Sequence, residues 1–259
     1  MDLYAFPPIA ALLDGAHAVL MGLAALLDPL IGVSSAAAAV VLITLLVRAA
    51  LIPVGISQAK AERTRARLAP RIAELRKRHG KDPERLQRET MALYTAEGTS
   101  PLAGCLPLLI QAPIVGVIYA LFILPTIAGH PNALLEQTFF GVPLGSSLAG
   151  SIVSGTLTPA SLVVFGVVIA SIALVGEVTR RVFRSQIANP ADAAAASPLA
   201  LPAAQRLLGL LQLITAVIAT FVPLAAALYL FVTVAWTLGQ RVVLRRIYPP
   251  QAGLSPQPA

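Results

Sequence analysis

The sequence predicts an all-α fold: a polytopic membrane protein with a five-helix transmembrane core, a cytoplasmic helical hairpin and an N-terminal interfacial helix. Three observations predict it. Of 259 residues, 57% are hydrophobic and only 12% charged, where a soluble domain carries about a quarter charged residues. Apolar runs long enough to cross a bilayer recur along the chain, and no strand pattern of any length interrupts them. All Lys and Arg residues except Arg48 fall on one side of those runs.

Residues 1–33 contain no Lys or Arg, whereas a secretory signal needs a basic n-region. Asp14 and Asp28 bracket the only apolar run there, roughly Gly15 to Leu27. That run is short for a span, so residues 8–27 are read as an interfacial helix within an extracytoplasmic segment, 1–33, the alternative being a short extra transmembrane helix. Ser34–Ile56 is apolar apart from Thr44 and Arg48 and fits one span. Residues 57–98 then change character and hold most of the Lys, Arg and Glu. Leu68, Ile72 and Leu75 share one helical face, and Leu86, Met91, Leu93 and Tyr94 supply a second. Between them, Gly80 reads as a helix stop, Asp82 as a cap and Pro83 as a first-turn residue. Arms this short are marginal alone, so the two are expected to pack together.

Further spans are expected at about 102–124 and 160–179. The last apolar stretch, Leu207–Leu238, is too long for one helix, and Pro223 near its centre marks a break. Two helices follow, about 207–221 and 223–240. The positive-inside rule supports this division. Five spans put 57–100, 179–206 and 241–259 on one side, with 18 of the 19 Lys and Arg residues. The N-terminus is then outside and the C-terminus cytoplasmic. The Pro- and Ala-rich segments 188–204 and 247–259 are expected to be mobile. Net charge is +7, the pI about 10.2 and the mean hydropathy +0.79.

Hydrolytic and redox chemistry find no support. Cys105 is the one cysteine, so no internal disulfide forms. Leu102-Ala103-Gly104-Cys105 spells a lipoprotein box but lies mid-chain, after a charged segment. His17, His79 and His130 fall in three different environments, which builds neither a triad nor a metal set. Ser57-Gln58-Ala59-Lys60 matches a Ser-x-x-Lys pattern without its companion motifs. No phosphate-binding glycine motif occurs. The expectation is a protein that is not an enzyme and needs no cofactor or metal.

Arg48 is the most informative residue. An arginine inside a span costs roughly 2.5–3.5 kcal/mol on insertion scales. In a 34–56 span it lies about eight residues, ~12 Å, from the cytoplasmic end, which is farther than its side chain reaches by snorkelling. The functional reading is that it faces a water-filled cavity, which Thr44, Gln111, Gln212, Thr215, Thr220, Thr233 and Gln240 could also line. The bland reading of each polar residue is a local hydrogen bond between helices. No acidic residue lies within any span to pair with Arg48; Glu177 sits at the end of the third. Arg71, Arg76, Lys77, Arg78 and Lys81 give the 57–98 segment a basic face. That face touches anionic lipid head groups, ribosomal RNA or only water; specific nucleic-acid binding is not expected.

The segment from Arg48 resembles the YidC/Oxa/Alb insertase family. The resemblance rests on Arg48-Ala-Ala-Leu51-Ile-Pro53, Gln58, Pro70, Leu93-Tyr94, Gly98 and the run Ser100-Pro101-Leu-Ala-Gly104-Cys105-Leu106-Pro107-Leu-Leu-Ile-Gln111-Ala-Pro113-Ile114. Near the C-terminus, Pro223, Leu228-Tyr229, Trp236 and Gln240 are similar to the family's closing helix. Ser100 stands where the family commonly has Asn, and the long 188–204 loop is unusual. The resemblance is to the family's short form, in which no large periplasmic domain is expected.

The resemblance implies a five-span core, 34–246, in a bacterial plasma membrane. It also implies a hydrophilic groove open to cytoplasm and lipid, with Arg48 as its cation and Trp236 among its lining residues. The implied clients are nascent membrane proteins, with the ribosome and the Sec translocon as candidate partners. The rival class is a small transporter or channel. That class calls for paired ionisable groups or inverted repeats, and Arg48 has no counterpart in the second half of the chain.

Overall fold

The computed structural model describes residues 6–80, 82–98, 106–184 and 214–247. The expectations for 99–105, for the 188–204 loop, for the first half of the 207–221 helix and for the tail beyond 247 lie outside the described residues. Nine α-helices are labelled in chain order within them, and short segments join these helices. The chain divides into two compact units.

The first unit comprises Met1–Ala50, Ala112–Thr179 and Leu211–Leu238. Helix α1 runs Pro7–Ile31, longer than the 8–27 expected. Asp28 and Pro29 do not stop it, because Asp28 stays at the surface and its carbonyl accepts from the Gly32 N–H. The left-handed φ of Gly32 (65°) then ends the helix, a conformation that favours glycine. A 3₁₀ turn, Gly32–Ser34, leads into α2, Ser35–Ala50. Leu13, Leu20 and Ala24 of α1 and Ala36, Ala37, Ala39 and Val40 of α2 are buried in one core. Small residues on α2 let the two helices approach closely.

Residues 106–123 form α5, Leu106–Ile123, and its part beyond residue 111 belongs to this unit. A loop follows that carries two ribbons the sequence pattern did not reveal: β1 (Thr126–Ile127) with β2 (His130–Pro131), and β3 (Thr138–Phe139) with β4 (Val142–Pro143). Both are antiparallel, in the registers Thr126↔Pro131 and Thr138↔Pro143. Each closes through two residues with positive φ, Ala128-Gly129 and Phe140-Gly141, as tight hairpins require. Strands of two residues are too short to show alternation, which is why the sequence hides them. Between the ribbons lies α6, Ala133–Glu136, and after them α7, Leu148–Val153.

Helix α8 runs Pro159–Arg184. Residues 214–218 are helical, and the chain breaks before Pro223, where the sequence places a break. Helix α9, Leu224–Ile247, then extends beyond the expected 240. Its first free N–H groups find acceptors in the loop: Leu224 donates to Ser146 O (2.8 Å) and Ala225 to Leu144 O (3.0 Å). Phe122 and Tyr229 pack with ring centroids 6.0 Å apart.

The second unit comprises Leu51–Gln111, Arg180–Leu210 and Gly239–Ala259. Helix α3, Ile52–His79, and α4, Pro83–Ala96, pack against each other. Asp82 caps α4 by accepting from Arg85 N at 3.0 Å, and Pro83 occupies the first turn. Arg67 and Arg71 both pair with Glu97, and His79 and Arg85 with Glu89. Arg76, Lys77, Arg78 and His79 fill the last turn of α3, where the helix dipole favours cations.

Among the described residues, three helical stretches are long and apolar enough to cross a membrane: Pro7–Ala50, Pro159–Val182 and Leu224–Ile247. A shorter apolar helix covers Ala112–Ile123. The architecture is therefore that of an all-α membrane protein.

Candidate functional site

Arg48 lies in the last turn of α2 and is half-buried. The sequence reading carries the first span to Ile56, but the helix stops at Ala50, Leu51 forms a turn and α3 starts at Ile52. The cause is Pro53: it has no N–H to donate to the carbonyl four residues back. Arg48 is thus two residues from the end of its helix rather than about eight from the end of a span. The negative end of the helix dipole favours a cation there. Among the described residues, no hydrogen bond or ion pair engages its guanidinium.

Thr44, one turn earlier, is buried, but its hydroxyl donates to Val40 O at 2.6 Å within its own helix. Its donor is thereby occupied within α2 itself rather than by a neighbouring helix. Thr220 likewise donates to Val217 O (2.7 Å). Thr215 and Trp236 are half-buried in the first unit, and Trp236 has an interaction partner. Thr233, on α9, has a buried hydroxyl oxygen with no partner among the described residues. The side chain of Gln111, on α5, and the whole of Gln212 lie outside the described residues.

Gln240 belongs to the second unit and reveals a residue that the sequence reading missed. Its amide lies over Gly55, in the first turn of α3: a Cβ at position 55 would stand 1.9 Å from Gln240 Nε2. A larger residue there would push the Gln240 amide aside. The sole hint in the sequence is a small residue just after Pro53, at the start of a helix.

Of the basic residues expected on the 57–98 face, Arg71 holds Glu97 at 3.3 Å, Arg76 is half-buried and engaged, and Lys77 and Arg78 are exposed. Lys81 lies outside the described residues. The histidines are far apart in role. His79 pairs with Glu89 (3.2 Å), His130 with Asp14 (3.7 Å), and His17 has a buried Nε2 without a partner among the described residues. Chemically, these groups offer a cation, Arg48, and hydrogen-bonding side chains on apolar helices.

The membrane protein insertase YidC of Clostridium perfringens is 43% identical over 81 residues, which are 31% of this chain and 34% of that protein. The YidC of Streptomyces avermitilis is 27% identical over 219 residues, 81% of this chain and 51% of that protein. The membrane protein insertase MisCA of Bacillus subtilis is 35% identical over 111 residues, 41% of this chain and 40% of that protein. The chain therefore spans about half or less of the length of these relatives. The family model described as 60Kd inner membrane protein matches residues 26–251. A multi-pass membrane protein by its helices and by this match, the chain belongs to the 60Kd inner membrane protein family.

Proposed function

We propose that this chain is a membrane protein insertase. It receives nascent membrane proteins in a hydrophilic groove and releases their apolar segments sideways into lipid. The observation that carries the reading is Arg48: a cation near the end of an apolar helix, with no partner among the described residues. The insertase names of the relatives support it. In this reading, 34–246 is a five-span core with a cytoplasmic hairpin at 57–98. Residues 1–33 are the extracytoplasmic segment with its interfacial helix, and the C-terminus is cytoplasmic, an orientation that the distribution of Lys and Arg supports.

The groove shortens the apolar barrier that a client's polar tail must cross. Arg48 attracts acidic residues of that tail, and Thr215, Trp236, Gln240, Gln111 and Gln212 complete the polar lining. Thr44 contributes shape, since its proton is held by Val40. Transfer of the client's apolar segment from water into lipid supplies the driving force, so no nucleotide is needed. The basic hairpin meets anionic lipid head groups and receives clients beside the ribosome or the Sec translocon.

The test is water access at position 48. Arg48→Cys in a Cys105→Ser background is exposed to a membrane-impermeant maleimide from the cytoplasmic face of inverted vesicles. Labelling is the expected result. Absence of labelling, with a hairpin cysteine reacting normally, would refute the groove.

A further inference from the structure

An apolar cavity in the first unit plays no part in the groove just proposed. It measures ≈520 Å³ and is walled by α1, α2 and α5. Each lining residue is hydrophobic, glycine or proline. Apolar cavities do not hold water, and an unfilled one forfeits the dispersion contacts of its walls.

Size, shape and access identify what fills it. An engineered apolar cavity of about 150 Å³ holds one benzene, so this one holds on the order of 20 carbon atoms. Its wall on α5 extends from Pro113 to Phe122, about 14 Å of helix rise, so the space is elongated. Leu12 and Val19 line it while being 57% and 62% exposed, whereas Ile118 and Leu121 line it at 8% and 5%. The cavity thus opens on the outer apolar surface of α1, which Leu26 and Leu30 continue, and runs inward to the core. A client helix of about 20 residues and 10 Å diameter occupies about 2,400 Å³, several times too much.

We infer that this cavity is a binding site for a single acyl chain of a bilayer lipid, which fills the packing between α1 and the pair α2–α5. Asp14 precedes the lining residue Gly15, and Arg48 follows the lining residue Val47. Neither is among the lining residues, none of which is charged, so the acyl chain and not the head-group charge is recognised.

The full-length protein in lipid nanodiscs, with no client present, tests this independently of the insertase reading. The probe is a phospholipid with a photoreactive diazirine on its acyl chain, in phosphatidylethanolamine and phosphatidylglycerol forms, with adducts mapped by peptide mass spectrometry. Both forms are expected to label the buried walls Ile118 and Leu121 as well as the exposed Val163 and Val167 of α8. A Cβ at Gly15, which lines the cavity, meets nothing within 4 Å, so Gly15→Leu is the variant that projects into the space. It is expected to cut labelling of Ile118 and Leu121 several-fold and to leave α8 labelling unchanged. Ala16→Phe serves as the second filling variant if Gly15→Leu alters α8. Labelling confined to exposed residues, or unchanged in both variants, overturns the inference. Photocrosslinking of a client segment to these walls with lipid excluded overturns it as well.

Discussion

Asn132 is 3% exposed and holds the loop after α5 to that helix. Its Nδ2 donates to the carbonyls of Leu121 (2.7 Å) and Leu124 (2.9 Å), and its Oδ1 accepts from Leu134 N (3.2 Å). The two carbonyls lie at the C-terminal end of α5, where no further turn supplies donors. Asn132→Ala removes three hydrogen bonds, worth about 1 kcal/mol each in net terms, and leaves a buried carbonyl unsatisfied at a cost of about 1 kcal/mol more. The expected loss is about 3–4 kcal/mol, or roughly 300-fold in the folded-to-unfolded ratio. Reversible unfolding in mixed micelles, titrated with SDS and followed by circular dichroism, measures it. Asn132→Asp keeps an acceptor for Leu134 but turns a carboxylate toward two carbonyl oxygens, so it is expected to be at least as destabilising. A loss below about 1 kcal/mol for the alanine variant would show that water replaces these bonds, and the reasoning would be wrong.

Arg48→Ala is expected to fold normally yet to impair insertion of clients with acidic translocated tails, with Arg48→Lys intermediate. Normal insertion of such clients by stably expressed Arg48→Ala would sink the electrostatic role. Gly55→Ala and Gln240→Ala both displace the same amide, so an insertion assay on the double variant should show little more loss than either single one; additive losses would mean that the two positions act separately. Gly145→Ala places a Cβ 2.8 Å from Leu135 Cβ and 2.9 Å from its carbonyl oxygen. Backbone must move, and a melting curve should report a loss of about 1–3 kcal/mol. Glu97→Ala frees Arg67 and Arg71, both half or more exposed, and should cost under about 1 kcal/mol, less still at high salt.

The helices were legible because their signals are local. The Pro223 break and the Asp82 cap appear where the sequence puts them, since a missing N–H and a capping carboxylate act on their own neighbours. Pro53 was equally visible, yet the first span was read through it. Hydrophobicity continues to Ile56 while the helix itself breaks at Leu51, and apolar content is blind to hydrogen bonding. Helix α1 exceeds the expected 8–27 for a related reason: Asp14 and Asp28 interrupt the apolar run, but both side chains reach the surface. The site was legible as a set of residue types rather than as an arrangement. Whether a threonine offers its hydroxyl to a groove or to its own helix depends on rotamer and packing, and Thr44 chose Val40.

By itself, the sequence determined that this protein is helical and belongs in a membrane, which residues carry its family resemblance, and where its cations lie. Those properties are sums over residues or over one helical turn. Only the tertiary structure decided that Gln240 rests on Gly55, that Ser146 and Leu144 supply the acceptors for the start of α9, and that α1, α2 and α5 wall an apolar cavity. Each of these joins groups far apart in sequence, and close packing, not local propensity, brings such groups together.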